Sequence, residues 1–369
     1  MSKKGLLSGK KSGDAYLLVA VTFLAIIGAV FIYSASNYSA SATYNDPFYF
    51  TKKQVIGIAL GIIAMIVTAN FDYHKLKKFT PYVCIISIVL LILVFVPHIG
   101  VENYGAKRWI GVGGVTLQPS EIAKFALILF CASYVSSNPE KIKTFVGILP
   151  ILGFGTLVCV LIILEPNMSI TVCVAMLMIT ILFVSGMKFI HLGCLILPAI
   201  VLGVVLIMIA PYRLDRLMAF INPWSNPKGE GYQLLQSLYA LGSGGLFGVG
   251  LFNSRQKFAF LPFAESDFIL SVIGEEIGFV GLILFFLLLG FIIYRGIKIA
   301  SKSKDIFGFI MAVGITMIFG IQTIVNVLVV TGSIPPTGLS LPLVSSGNTS
   351  IIIFMAEMGV LYNISTHSK

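Results

Sequence analysis

The sequence predicts an all-α polytopic membrane protein with about ten transmembrane helices and one long extracytoplasmic loop between the seventh and eighth. Three observations carry that prediction. Hydrophobic residues make up 57% of the 369 residues and charged residues only 11%, against about 25% charged in an average soluble domain; the mean hydropathy is +0.98. Mostly apolar runs of about 18 residues or more, the length that crosses a bilayer as helix, recur along the chain. A single long polar break at 211–266 interrupts them.

Taken in order, the spans fall near 15–35, 54–70, 79–97, 120–136, 144–164, 167–186, 189–210, 268–294, 306–332 and 348–364. They are apolar all round rather than amphipathic, as helices facing lipid and one another should be. The first is followed by small-x-small steps in YSASNYSASA, but its apolar core exceeds the roughly 7–15 residues of a signal peptide, so an uncleaved helix is expected. No repeat or soluble domain stands out, so 1–369 is expected to be one domain with short tails at 1–14 and 365–369. Cys84, Cys131, Cys159, Cys173 and Cys194 all lie in apolar runs without metal-like spacing, which suits small core residues rather than disulfides. The four histidines are scattered and give no metal set.

Lysine and arginine placement sets the orientation. With the N-terminus inside, fifteen of the 25 fall in short inner segments and nine in longer outer ones, with Lys124 inside a span. This density bias places both termini in the cytoplasm and the long loop outside. The net charge of +10 fits cytoplasmic anchoring and anionic lipid; no basic stripe with interleaved aromatics points to nucleic acid. A loop of roughly 55 residues is more than a connector, and long loops usually bind or react with something. Outside the membrane there is no ATP, so a substrate must arrive activated.

Several polar residues need a reason. Lys124 lies one turn into the fourth span with Glu121 three residues before it, either as a structural ion pair or as a cationic wall for an anionic substrate. Lys107 and Arg108, beside Trp109, suit either snorkelling anchors or a lipid phosphate. Glu165 sits at the tight junction of spans five and six, where helix capping competes with a functional role. Glu275, Glu276 and Glu357 are expected to pair within the bundle. The glycine-rich GSGGLFGVG from Gly242 to Gly250 could cradle phosphate, but no strand precedes it and a re-entrant turn fits equally. On an ideal eighth helix, Ser271, Gly274, Gly278 and Gly281 fall within about 40° of Asp267. That strip reads either as close helix packing or as a groove for a lipid tail leading to an acid; Glu276 points away.

The stretches INPWSNPKGEGYQLLQSLYALGSGGLFGVGL and SRQKFAFLPFAESDFILSVIGEEIGFVG, with GAKRWIGVGGVTLQPSEIAKF and TGSIPPTGLSLPLVSSGNTS, closely resemble the SEDS family of shape, elongation, division and sporulation proteins. The resemblance covers essentially the whole chain, and the NPW and SRQKF blocks look more like the FtsW/SpoVE branch than RodA. It implies a ten-span, multi-pass protein of the bacterial plasma membrane that polymerises lipid II into glycan strands on the outer face, in cell division or spore cortex synthesis. It also implies a class B penicillin-binding protein, a single-span transpeptidase, as partner, alongside divisome or sporulation membrane proteins.

Asp267 matches the family's essential aspartate. Two places depart from the family pattern. Pro166-Asn167-Met168-Ser169 lacks the usual aspartate, and Ser345-Ser346-Gly347-Asn348-Thr349-Ser350 replaces the usual Ser-Tyr-Gly-Gly pattern. The implied reaction is attack of a sugar hydroxyl on an anomeric carbon, with inversion and departure of undecaprenyl diphosphate. It needs a base and stabilisation of the leaving diphosphate. Asp267 is the candidate base; Lys107, Arg108, Lys124, Arg213, Arg216, Arg255 and Lys257 are candidates for the diphosphate, with Glu121, Glu165, Ser345 and Ser346 as further substrate-binding candidates. A divalent cation, Mg or Mn, bridging Asp267 and diphosphate is equally compatible. A lipid II flippase and a non-catalytic scaffold for the transpeptidase are the alternatives.

Overall fold

The computed structural model describes residues 13–103, 106–112, 115–209, 211–229, 231–258 and 260–368. The protein is a helical bundle: α1 (Ala15–Tyr44), α2 (Tyr49–Asn70), α3 (Leu76–Leu93), α4 (Pro119–Ser137), α5 (Phe145–Leu164), α6 (Met168–Val184), α7 (Phe189–Ile209), α8 (Pro211–Ile221), α9 (Tyr232–Gly244), α10 (Ile269–Ser301), α11 (Ile306–Val330) and α12 (Asn348–His367). Among the described residues, nine helices are long and apolar enough to cross a membrane. The remaining predicted span, the sixth, is α6 with 17 residues, at the lower end of the roughly 17–25 that suffice. It is a multi-pass membrane protein.

α11 lies at the centre, buried on nearly all sides and carrying Gln322, Thr323 and Asn326 into the interior. α12 packs along α2 through glycines that let the two helices approach closely. A Cβ on Gly61 would come within 2.5 Å of Met355 Sδ, and one on Gly359 within 2.3 Å of the Met65 carbonyl oxygen. By contrast, no described residue of α7 is buried. Its sides are apolar all round, which suits a helix facing lipid.

Several elements differ from the sequence expectation. α1 continues to Tyr44, where Asn45 caps it in a left-handed conformation; the hydroxyl-rich SASNYSASATY contains no glycine or proline to stop it sooner. A small antiparallel sheet, β1 (Gly100–Asn103), β2 (Ala106–Val112) and β3 (Val115–Leu117), lies between α3 and α4. A search for long apolar runs misses strands this short. The pairing passes from Val101 opposite Trp109 to Glu102 opposite Lys107, so Arg108 is a bulged residue. Bulges re-aim side chains and recur next to active sites. The long polar segment is not an open loop either: it contains α8, a 3₁₀ turn at Pro223–Ser225, and α9.

The glycine-rich stretch after α9 holds a break in α10. Gly278 leaves helical geometry at φ 67° and ψ −171°. The main-chain groups that the break frees are taken up by residues 245–250: Val249 and Gly250 donate to the carbonyls of Glu275 (2.9 Å) and Glu276 (3.1 Å), while Phe279 and Val280 donate to those of Gly245 (2.9 Å) and Leu246 (3.0 Å). Irregular backbone within a membrane protein is tolerated only where its polar groups are satisfied in this way. The approach is too close for side chains. A Cβ on Gly244 would lie 2.2 Å from the Gly274 carbonyl oxygen, and one on Gly248 (φ +80°) 2.1 Å from that of Glu276. GSGGLFGVG is therefore a re-entrant turn and its main chain is spent on α10, not on phosphate.

The same contact decides between the two readings of the small-residue strip. Ser271 Oγ bonds Ser237 Oγ of α9 at 2.7 Å, and Gly274 and Gly278 are covered by Leu241 and by residues 247–248. The strip is close packing, not a groove for a lipid tail.

Candidate functional site

Asp267 stands two residues before α10, at the end of the bundle that bears α8, α9 and the sheet. Its backbone is braced from two elements. Asn326 of α11 donates from Nδ2 to the Asp267 carbonyl oxygen (2.9 Å) and the Leu339 carbonyl oxygen (2.7 Å). Ser345 Oγ accepts from the Leu341 N–H (2.8 Å) and donates to the Ser266 carbonyl oxygen (2.6 Å), while the Ser346 N–H donates to that of Glu265 (2.9 Å). The carboxylate itself accepts from Ser266 Oγ at 2.8 Å on Oδ1. A Cβ on Gly338, which sits at φ +73°, would come within 3.3 Å of Oδ2, so glycine there leaves the second oxygen room.

Among the described residues, the charges of Arg108 and Arg216 act on this carboxylate. Arg108 reaches from the β2 bulge to the α5–α6 junction, where Nε donates to the Glu165 carbonyl oxygen (3.4 Å) and Nη2 to that of Pro166. Arg216 lies exposed on α8. Asp267 keeps part of its surface open yet is enclosed by neighbouring protein atoms. Burial accordingly holds its carboxyl above the usual range, against the Ser266 hydroxyl and the two arginines. Glu165 is fully buried and neither carboxylate oxygen has a hydrogen-bond partner. Burial pushes it up to about 8 despite the Arg108 charge.

The remaining candidates are placed elsewhere. Lys124 is 2% exposed and donates to Glu121 Oε1 (2.8 Å) and Gln322 Oε1 (2.7 Å), with its ammonium 5.2 Å from the Phe354 ring centroid. Gln322 and Asn326 are one turn apart on α11, so this buried ion pair lies beneath the Asp267 site and not at its surface. Lys257, proposed from the sequence for the diphosphate, is corrected: it is 4% exposed, donates to the Phe252 carbonyl oxygen, and lies 3.8 Å from Glu276 Oε1. Its amine neutralises the Glu275–Glu276 corner, where Glu275 also accepts the Arg255 N–H at 2.9 Å. The Arg255 side chain is exposed and Lys107 is exposed on β2. The side chain of Arg213 lies outside the described residues.

The two departures from the family pattern have a local account. Asn167 caps α6, its Oδ1 accepting the Ile170 N–H at 3.4 Å, a role an amide fills as an aspartate would. Ser346 contributes its main-chain N–H, which is independent of the side chain. Glu265, one of the polar residues of the long loop read from the sequence, joins the site through its carbonyl; Asn326 and Gly338 complete it and were not picked out from the sequence. The signal for Asn326 was present: it and Gln322 are polar, four residues apart, in an otherwise apolar span.

The comparisons with known proteins bear on this arrangement. A family profile for FtsW, RodA and SpoVE, described as cell cycle proteins, matches residues 15–369. The chain belongs to this family. Stage V sporulation protein E of Bacillus subtilis (strain 168) is 39% identical over 362 residues, covering 98% of this chain and 99% of that one. A probable peptidoglycan glycosyltransferase FtsW of Trichlorobacter lovleyi is 38% identical over 360 residues, covering 96% and 94%. Among solved structures, a chain of a peptidoglycan synthase complex that coordinates polymerisation and crosslinking superposes with a TM-score of 0.79 at 26% identity, covering 96% of this chain and 98% of that one. The rod shape determining protein RodA of Thermus thermophilus shares the fold, with a TM-score of 0.70 at 24% identity over 96% of this chain and 97% of that one. This FtsW/RodA/SpoVE member therefore carries the family fold over 96% of its length, with Asp267 two residues before its kinked α10.

Proposed function

We propose that this protein is a peptidoglycan glycosyltransferase that polymerises lipid II into glycan strands. The observation that carries the reading is a partly open carboxylate, Asp267, braced from α11 and the 338–346 segment and within electrostatic range of Arg108 and Arg216. The name of its FtsW relative, a probable peptidoglycan glycosyltransferase, supports the same chemistry. In the proposed reaction the acceptor sugar hydroxyl gives its proton to Asp267 as its oxygen bonds the anomeric carbon. The bond from that carbon to the diphosphate oxygen breaks on the opposite face, and its electron pair leaves with undecaprenyl diphosphate. A carboxyl raised above the usual range is a stronger base than a free surface aspartate, and Arg108 and Arg216 stabilise the charge that develops on the diphosphate.

A single protein carboxylate fits a Mg or Mn ion only in part, since among the described residues no group of three or more histidine, cysteine or acidic side chains could hold one. Asp267 and the substrate's own diphosphate oxygens would share such an ion, which would supply further charge neutralisation.

The partner in this reading is a single-span class B penicillin-binding protein that crosslinks the new strands, within a divisome or sporulation assembly; the crosslinking of the structurally similar synthase complex supports it. The test is the purified protein with that transpeptidase, its own chemistry blocked, and labelled lipid II. Glycan polymer is the expected product. Translocation across vesicles without polymer would replace the reading with a flippase, and neither product would leave a scaffold.

The reading also places the protein in the plasma membrane with both termini cytoplasmic and the α8–α9 face outside. A cysteine introduced at Ser225 or Asn253 should react with an impermeant reagent from outside, and one at Ser303 should not. The reverse pattern would put the site in the cytoplasm.

A further inference from the structure

A second feature of the α8–α9 face has no part in the reaction as described. The end of α1 from Ser41 to Tyr44 is exposed throughout, and the hydroxyl-rich last turns of that helix, with the start of α2 and residues 261–265, enclose a cleft of about 310 Å³. Its walls include Ser39, Thr43 and Tyr44 of α1, Phe50 of α2, and Phe263 and Glu265 of the segment leading into α10. Tyr44 and Phe50 meet edge to face with centroids 5.8 Å apart, and Phe263 enters the lining from a left-handed conformation, φ 55°, which an aromatic residue seldom adopts without compensation.

The chemistry of this cleft differs from that around Arg108 and Arg216. Its one basic side chain, Lys257, is engaged by Glu276 and the Phe252 carbonyl. Its acid, Glu265, would repel a phosphate. Aromatic faces with hydroxyls and one carboxylate suit an uncharged, hydroxyl-rich ring: the rings cover its apolar face, and the carboxylate accepts strong hydrogen bonds from its hydroxyls. The volume is at the lower limit of roughly 300–1,000 Å³ for ligand pockets, room for about one or two sugar rings and not for a lipid diphosphate. Glu265 and Asp267 are two residues apart, at most about 7 Å along the chain; burial first, then the Asp267 charge, raises Glu265.

We propose that this cleft is the acceptor subsite, which holds the non-reducing-end amino sugar of a saccharide and presents its hydroxyl to Asp267. The inference rests on the glycosyltransferase reading and adds a direction to it: the sugar that attacks enters between α1, α2 and Glu265, and the diphosphate leaves on the side of Arg108 and Arg216. Tyr44 and Glu265 are then binding residues that touch the acceptor.

The test reads binding, so it does not depend on turnover. Asp267→Asn protein is photolysed with a lipid-free, diphosphate-free GlcNAc–MurNAc tetrasaccharide that carries a diazirine at its non-reducing end. Crosslinks are expected in peptides spanning residues 39–50 and 261–265, undiminished by excess undecaprenyl diphosphate. Adding Tyr44→Ala or Glu265→Gln should weaken saccharide affinity about tenfold, while Tyr44→Phe, which keeps the ring, should restore most of it. Tyr44 is exposed, so its variants should fold. Crosslinks confined to other segments, displacement by undecaprenyl diphosphate, or a Tyr44→Ala affinity within about twofold of its parent would overturn the proposal. If the unmodified enzyme polymerises lipid II but these crosslinks are missing, the subsite falls and the glycosyltransferase reading stands. Crosslinks in the cleft of a protein that makes no polymer would support a saccharide site and overturn the enzymatic reading.

Discussion

Asp267→Asn is expected to fold, bind lipid II and lose polymerisation by about 10²–10⁴-fold, the usual contribution of a positioned general base. The amide keeps the side chain's size and can still meet Ser266 Oγ, which lies 2.8 Å from Oδ1 in the parent, but it cannot take a proton. Asp267→Glu moves the carboxylate by one methylene and should recover little, because a misplacement of about 1 Å can cost 10²-fold. The raised carboxyl of Asp267 fixes two further signs. Polymerisation by the parent should rise with pH through that raised value as the base ionises. For stability the direction is opposite: a carboxyl raised on folding stabilises the fold at pH below its unfolded value, and that contribution is lost as pH climbs through the folded one. At neutral pH Asp267→Asn should therefore melt no lower than the parent. Polymerisation by Asp267→Asn within about threefold of the parent would remove Asp267 both as base and as metal ligand.

The largest stability effect should come from Lys124→Met. Lys124 and Glu121 are each 2% exposed, and Glu357, 3% exposed, lies within electrostatic range of both. Removing the ammonium leaves a buried carboxylate without its cation, which costs about 3–5 kcal/mol in comparable buried pairs. Losing interhelical hydrogen bonds alone would cost far less, about 0.6 kcal/mol each on average within membranes. The size of the loss therefore separates a charge role from a hydrogen-bonding one. Replacing both partners, Glu121→Leu with Lys124→Met, should recover much of the stability, since two apolar groups leave no charge behind. Thermal unfolding in detergent reads both variants. An unchanged melting temperature in Lys124→Met, with a raised KM for lipid II, would return Lys124 to the substrate.

Much of the architecture was legible because membrane insertion is a local property of the chain. An apolar run long enough to span reads as a helix wherever its partners lie, and α2, α5 and α7 fall close to their expected limits. Elements whose stability is not local were missed. The β1–β3 sheet exists through cross-strand pairing of segments of 4, 7 and 3 residues, none of which carries a hydropathy signal. The strip from Ser271 to Gly281 was drawn on an ideal helix, but Gly278 breaks that helix and its neighbours are covered by α9.

The sequence by itself determined the membrane-spanning class and the kinship with SEDS proteins and put Asp267 forward as the candidate acid, because each reading rests on contiguous residues. Which charges come within electrostatic range of that acid was decided only by the tertiary structure. Seven cations were chemically equivalent candidates along the chain. Arg108 and Arg216 act on Asp267, whereas Lys124 and Lys257 are buried against Glu121 and Glu276. The reason is the low dielectric of the bundle: a buried cation must be paired, so its partner, and not its place in the sequence, decides whether it is left to meet a substrate.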